Sequence, residues 1–314
     1  MRITTNMIYD RNLASMSKVS ERQNTAYNQL MTGDKFSRSG EDPAGMSQKM
    51  ALTKEIDLFK QYGVNGSLLE NSLGHEETVL TSLNSAMLSA QTLIQKANNS
   101  AMGSEERSAI ASELEGLQKQ MFDLMNSKNS QGEYIFGGNQ SKTQPFVKDA
   151  SGNYVFQGDT GQRNIQVSPT VQIPANDSGF DLFEIVATQN FVLDTPKNDN
   201  ILNGMSDFIS AMRDPTLSES DFQLAVSDAT THMSNARTKI DRGLGELGGR
   251  MNSLEQVMSS NDGLSTLTQQ ARAKVSEADM YEVIAALSKE DAAMSASQLA
   301  FSKISKLTLF DYIR

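Results

Sequence analysis

The sequence contains no cysteine and no tryptophan, and only two of its 314 residues are histidine. Without cysteine the chain can form neither a disulfide nor a thiolate metal site. His75 and His232 fall in predicted helices among polar residues, with no second histidine at ligand spacing, which favours two solvent-facing side chains. The sequence therefore predicts a protein that is not an enzyme and needs no cofactor or metal.

Basic clusters and long apolar runs are also scarce. The chain has 28 Lys and Arg against 38 Asp and Glu, and no basic cluster is interleaved with aromatic residues, which argues against a nucleic-acid partner. No segment approaches the ~18 apolar residues of a membrane helix, and MRITTNMIYD lacks the apolar core of a cleavable signal. Residues 131–225 hold 12 acidic and 5 basic residues, so most of the negative excess lies in the middle of the chain.

A seven-residue apolar ladder is the most informative pattern present. It begins after Pro43 and ends near residue 100, which predicts a coiled-coil helix of roughly 80 Å at 1.5 Å per residue. Its steps are Leu52, Phe59, Gly66, Leu73, Leu80, Met87 and Ile94, flanked by Ile56, Leu69, Leu83 and Ala90.

A second ladder follows the middle of the chain, and shorter apolar stripes accompany it. The three longest stripes can bury their apolar faces only against one another, which predicts a helical bundle. The second ladder is Val226, Met233, Ile240, Leu247 and Leu254; the shorter helices carry Ile110, Leu114, Leu117, Met121 and Leu124, and Ile201, Met205, Phe208, Ile209 and Met212.

The two ends of the chain carry weaker stripes, interrupted by polar residues at Gln23, Glu290 and Ser297. Isolated helices of this kind are marginal, so we expect them to become ordered on packing against other subunits. The predicted assembly interface consists of Tyr9, Met16, Val19, Leu30, Met280, Val283, Leu287, Met294, Phe301, Ile304, Leu307 and Phe310.

The middle of the chain changes to short β-prone runs between Gly132 and about Ile173, punctuated by Gly, Asn, Asp and Pro. Residues 150–153, Ala-Ser-Gly-Asn, predict a hairpin turn between residues 146–147 and 154–156. The predicted fold is thus mainly α, a long antiparallel coiled-coil bundle of N- and C-terminal regions with a small β-rich insertion.

Glycines offer few signs of chemistry. The glycine pairs at 137–138 and 158–161 lack the Lys-Ser/Thr of a phosphate loop, and turns are favoured for both. Four glycines within residues 242–250 of a predicted helix each cost about 1 kcal/mol relative to alanine. Two interpretations stay open: a break or close approach of helix backbones within the chain, or a contact with a neighbouring subunit or a hinge.

Several motifs together resemble the flagellin superfamily. They are MRITTNMIYDRNLASM, QLMTGDKFSRSGEDPAGM with Gly33, Asp42, Pro43 and Ala44, and ARTKIDRGLGELGGRMNSLE with Arg237, Gly245, Arg250 and Asn252. The segment GEYIFGG with the following QPF, and the closing LTLFDYIR, are similar to the hook–filament junction group of that superfamily. The resemblance covers the whole chain, although the terminal helices match in pattern more than in letters.

The resemblance implies an inner assembly domain of residues 1–45 and 276–314, a coiled-coil domain of 46–130 and 200–275, and a β-rich outer domain of 131–199. It implies a structural adaptor in the extracellular flagellum, exported unfolded without a cleaved signal peptide. The implied partners are neighbouring copies in a ring, the preceding hook-associated junction protein, flagellin and a cytoplasmic export chaperone. Filament flagellin and an unrelated secreted coiled-coil adhesin or tip protein are the alternatives.

Overall fold

The computed structural model describes residues 2–99, 102–184, 186–187 and 198–312. Its backbone is mainly helical, with three two-stranded antiparallel sheets between the third and fourth helices. The elements are α1 (Arg2–Thr32), α2 (Pro43–Ala97), α3 (Ser104–Met125), β1 (Phe146–Lys148), β2 (Tyr154–Phe156), β3 (Asn164–Gln166), β4 (Gln172–Pro174), a π-helix (Phe180–Glu184), β5 (Val186–Ala187), β6 (Asn198–Asp199), α4 (Ile201–Arg213), α5 (Glu219–Ser276) and α6 (Met280–Tyr312).

The chain divides into two compact units. Unit 1 contains Met1–Phe59 and Asp262–Arg314, and unit 2 contains Lys60–Asn261. The long helices α2 and α5 each contribute one part to each unit. The division into inner, coiled-coil and outer domains made from the sequence stays a prediction.

The core of unit 2 follows the two heptad ladders. Within this unit the ladder positions of α2, from Leu73 to Ile94, and those of α5, from Val226 to Leu254, are buried in one apolar cluster. Gly66 occupies its ladder step because a Cβ at this position would lie 2.7 Å from the Sδ atom of Met258. The predicted mainly α fold, with long helices and a small β insertion, is confirmed.

Polar contacts fix the register of α2 and α5 in unit 2. Arg237 Nε donates to Asn84 Oδ1 at 3.1 Å, and Arg237 Nη1 donates to Gln91 Oε1 at 2.9 Å. Asn84 Nδ2 in turn donates to Asp241 Oδ1 at 2.8 Å. These pairs, with rising numbers on α2 meeting falling numbers on α5, make the two helices antiparallel.

The shorter helices α3 and α4 complete the bundle and pack on each other. Helix α3 begins where Glu106 Oε2 accepts the N–H of Gly103 at 3.1 Å, as the capping pattern predicts. Asn200 begins α4 by accepting the N–H of Leu202 at 2.8 Å. Their apolar faces, including Ile110, Leu114 and Met205, are buried in the same cluster as the ladders.

Side-chain amides protect the exposed edges of the β1–β2 hairpin. Asn126 accepts the N–H of Phe146 and donates to its carbonyl, at 3.0 and 3.1 Å. Asn203 does the same for Tyr154, at 2.7 and 3.0 Å. Each amide therefore takes the place of a neighbouring strand, which blunts an edge that could otherwise pair with another chain. The hairpin turn is the predicted one, with Gly152 at φ 91°.

Aromatic side chains form the core of the β insertion. Phe136, from GEYIFGG, meets Phe183 edge to face with ring centroids 5.1 Å apart. Phe146, from QPF, lies 5.8 Å from Phe183 and 5.2 Å from Phe156. The motifs that carried the resemblance thus act through packing, and three of these rings (Phe136, Phe146 and Phe183) are fully buried.

Candidate assembly surface

Helices α1 and α6 form an antiparallel pair in unit 1. Tyr9 and Phe301 stack with ring centroids 5.1 Å apart, and Arg22 reaches both carboxylate oxygens of Glu290, at 2.9 and 3.0 Å. The guanidinium hydrogen bond lowers the pKa of Glu290. Gln23 Nε2 donates to Asp291 Oδ1 at 2.6 Å. The polar interruptions of the sequence stripes at Gln23 and Glu290 are therefore cross-helix pairs.

The predicted interface residues lie mostly along the line where α1 and α6 meet. Val19 and Val283 are buried there, while Tyr9 and Met280 remain largely exposed. The side chains of Met16, Leu30, Leu287, Met294 and Phe301 are half-buried. Those of Ile304, Leu307 and Phe310 lie outside the described residues. The assembly role of all twelve stays a prediction.

Sequence reasoning missed a second set of apolar residues, on the flanks of the same two helices. On α1 these are Leu13, Tyr27 and Met31, and all three are exposed. Leu13 and Tyr27 are 14 residues apart and Met31 follows by four, so the three lie along one flank. Hydrophobic spacing alone could not separate this flank from the adjoining line of contact.

Helix α6 carries a similar exposed stripe, consisting of Tyr281, Ile284 and Leu299. Tyr281 and Leu299 are 18 residues apart, which is five helical turns, so they lie on one face. Tyr281 is 89% exposed. Among the described side chains of α1 and α6, only Val19, Ala26 and Val283 are buried, so the pair leaves most of its apolar surface open.

The loop between α1 and α2 anchors this helix pair. Lys35 N–H donates to the carbonyl of Ser276 at 2.7 Å, and Ala278 N–H donates to that of Gly33 at 2.9 Å. Asp42 accepts the N–H of Gly45 at 2.9 Å and so caps α2. This loop is the GDKFSRSGEDPAG motif, and its Gly33 has a φ of 76° that favours glycine.

The glycines of residues 242–250 lie in an unbroken helix, which removes the interpretation of a helix break. A Cβ on Gly243 would approach Leu182 to 3.0 Å. Added to Gly245, Gly248 or Gly249, it would meet no described atom within 4 Å. Close approach within the chain therefore explains Gly243 alone.

The two histidines differ, and the prediction that both face solvent is wrong for one of them. His75 is exposed, with Nε2 3.1 Å from the carbonyl oxygen of Lys128. His232 is buried because it packs against α4 at Gly204, where the missing side chain leaves room for the imidazole ring. Sequence spacing could not reveal this contact, since the partner is 28 residues away on another helix.

A buried carboxyl group in unit 2 was also missed. Glu76 lies on α2 with none of its surface exposed, and Asp177 and Arg250 form an ion pair beside it. Burial, together with the negative charge of Asp177, raises the pKa of Glu76 to about 8. A seven-residue count would have found it, because Glu76 falls midway between Leu69 and Leu83.

Metal-binding and membrane-spanning features were sought in the same residues. Within the ranges that the structure describes, no group of three His, Asp or Glu side chains could hold a metal ion. The helices of that part of the chain include none that is both long and apolar enough to cross a membrane. The largest groove described in unit 2, about 870 Å³, is open and mainly polar, and lies between α2 and the loop after α3.

Comparisons with known proteins agree with this architecture. Residues 3–141 match the bacterial flagellin N-terminal helical region. The structure is similar to that of a flagellar hook-associated protein of Vibrio parahaemolyticus, with a TM-score of 0.67 and 22% identity over 76% of this chain and 100% of that one. Flagellar hook-associated protein 3 of Legionella pneumophila gives a TM-score of 0.65 and 18% identity over 72% and 98%. These findings confirm the resemblance to the flagellin superfamily.

Two relatives narrow the resemblance further. Flagellar hook-associated protein 3 of Escherichia coli is 25% identical over 317 residues, which span 99% of both chains. The protein of the same name from Salmonella typhimurium is 24% identical over the full length of both chains. Within the superfamily, the group indicated by the GEYIFGG and QPF segments is therefore confirmed as that of hook-associated protein 3.

Proposed function

We propose that this chain is the adaptor subunit at the hook–filament junction of a bacterial flagellum, a structural rather than a catalytic part. The observation that carries the proposal is the α1–α6 pair, which buries one line of contact and leaves Leu13, Tyr27, Tyr281 and Leu299 exposed. A helix that is apolar on several sides needs further partners to cover it. Full-length similarity to hook-associated protein 3 supports the junction as the place of assembly.

The driving force for assembly is burial of the exposed flanks. Covering one large apolar side chain contributes about 1.5–3 kcal/mol, and the flanks of α1 and α6 carry at least six such side chains. Part of this gain offsets the entropy lost when helices become fixed in the assembly. The twelve predicted residues contribute indirectly, since those on the line of contact hold the two helices together.

The proposed partners are neighbouring copies in a ring, the preceding hook-associated junction protein on one side and flagellin on the other. A cytoplasmic chaperone covering the exposed α6 before export is the fourth partner. Export to the extracellular flagellum proceeds without a cleaved signal peptide. These assignments follow from the resemblance together with the exposed flanks.

A matched pair of variants tests the proposal. Leu299→Glu places a charge on the exposed apolar stripe of α6, whereas Gln298→Glu adds the same charge at the neighbouring exposed position. In a strain that lacks the native copy, we expect Leu299→Glu to leave hooks without filaments and to shed flagellin into the medium. Gln298→Glu should support filaments. Normal filaments with Leu299→Glu at equal protein levels would contradict the proposal.

A deletion and an assembly assay complete the test. Removing residues 280–314 takes away all of α6, so incorporation at the junction should be lost; normal filament growth would defeat the proposal. Purified chains should also fail to polymerise indefinitely. Long filaments formed from this chain alone would instead favour filament flagellin.

A further inference from the structure

Glu76 interrupts an otherwise apolar row on α2. The buried residues Leu69, Leu83 and Ala90 occupy equivalent heptad positions, and Glu76 takes the step between the first two with 0% of its surface exposed. A carboxylate transferred from water to such a position is strongly disfavoured unless it is paired or keeps its proton. Its role is therefore set by what surrounds the two oxygens.

The contacts of Glu76 are too few to hold a negative charge. Oε1 accepts one hydrogen bond, from the backbone N–H of Asp177 at 3.1 Å. Oε2 is buried and has no hydrogen-bond partner among the described residues. A stable buried carboxylate normally accepts two or three such bonds.

The cation beside Glu76 is already engaged with another acid. Arg250 of α5 pairs with Asp177 through Nη2 and donates from Nη1 to the carbonyl of Pro174 at 3.4 Å. Asp177 also accepts from Gln162 Nε2 at 3.1 Å. One guanidinium thus faces two carboxyl groups, so ionising both would leave a net negative charge in the interior.

No other charged side chain is described as acting on Glu76. Asp177 faces it from the segment after β4, and Arg250 faces it from α5. On α2 itself the flanking His75 and Glu77 are exposed and turn away from the core. Burial and the charge of Asp177 raise the pKa of Glu76 to about 8, while Arg250 opposes them.

We propose that Glu76, Asp177 and Arg250 form a proton-dependent latch, which holds residues 162–178 against α2 and α5 and loosens as the pH rises. When Glu76 carries its proton, Asp177 and Arg250 are a matched pair and the segment stays closed. When Glu76 loses it, two negative groups repel each other across a single cation. Opening the segment admits water and relieves that repulsion.

The pH window follows from the two states of Glu76. In the open segment its pKa returns to the ordinary value of 4.5, whereas in the closed segment the pKa is about 8. The closed state therefore binds the proton more tightly, and closure is most favourable below pH 4.5. Between about pH 5 and 8 the opening equilibrium constant rises toward tenfold per pH unit, and above 8 it levels off.

Hydrogen exchange of the full-length chain tests the latch. Exchange is measured by mass spectrometry at several pH values from 5.5 to 7.5 and corrected for the intrinsic rate. In the wild type, we expect the opening constant of residues 162–178 to rise up to a hundredfold across this range. Glu76→Gln copies the protonated form and should make this rise disappear, whereas Glu77→Gln, an exposed neighbour, should preserve it.

An infrared titration of the wild type keeps the test independent of how the variants fold. The absorption of a protonated, buried carboxyl group should be present at pH 6 and fade with a midpoint near 8. A carboxyl already ionised at pH 6 would overturn the proposal. Equal pH dependence of exchange in the wild type and Glu76→Gln would overturn it as well.

Discussion

Leu80 provides a direct test of the packing between α2 and α5. It is 0% exposed and lies on the heptad ladder of α2, whereas Leu88, on the same helix, is 52% exposed. Truncating a fully buried leucine to alanine removes its transfer free energy and leaves a cavity, which together cost about 3–5 kcal/mol. We therefore expect Leu80→Ala to lower the free energy of unfolding of unit 2 by that amount.

Leu88→Ala is the matched control, since it changes the same atoms at a half-open site. About half of the 1.5–3 kcal/mol of full leucine burial is at stake there, and alanine regains part of it through its higher helix propensity. The expected loss is below about 1 kcal/mol.

Urea unfolding followed by far-ultraviolet circular dichroism measures both variants, because the midpoint shift at unchanged slope reports the change in stability. A change in slope would mark a loss of cooperativity instead. Similar losses for Leu80→Ala and Leu88→Ala, or a loss below about 1 kcal/mol for Leu80→Ala, would refute the reasoning that the ladder is the core of unit 2.

Three further changes have opposite or distinct expected effects. Gly245→Ala should stabilise the chain by up to about 1 kcal/mol in thermal unfolding, since the added methyl meets no described atom; loss of junction assembly despite this gain would assign the open surface to a neighbouring subunit. Gly204→Ala should destabilise by about 1–3 kcal/mol, because its Cβ would overlap the ring of His232; unchanged stability in urea would contradict that contact. Asn203→Ala should cost about 1–3 kcal/mol by leaving the backbone of Tyr154 without its two hydrogen bonds, and exchange at the Tyr154 amide should rise by at least about fivefold.

Hydrophobic periodicity predicted the helices well because their packing repeats along the chain. The ladder through Leu73, Leu80 and Met87 is buried as the seven-residue spacing requires. Turn chemistry was equally local, since the Gly152 hairpin depends on four consecutive residues. Where structure follows from neighbours in sequence, the sequence was sufficient.

Contacts between distant segments were not predictable in the same way. Glu76 resembles an ordinary polar interruption until Asp177, 101 residues away, comes to meet it. His232 reads as polar surface until Gly204 makes room for its ring. In the terminal helices, the stripes predicted for contact with other subunits turned out to include the line between α1 and α6, because one spacing describes both.

The pairing of α1 with α6 also governs the order in which the chain can fold. Arg22 and Glu290 are 268 residues apart, so the two ends must meet across almost the whole sequence. Closing so long a loop is slow and has an entropic cost that local helix formation does not carry. Unit 2 can assemble from segments that are nearer in sequence, whereas α1, although made first, has no partner until the last residues are available. Unit 1 is therefore expected to form last, and a chain interrupted before α6 would keep the apolar surface of α1 uncovered.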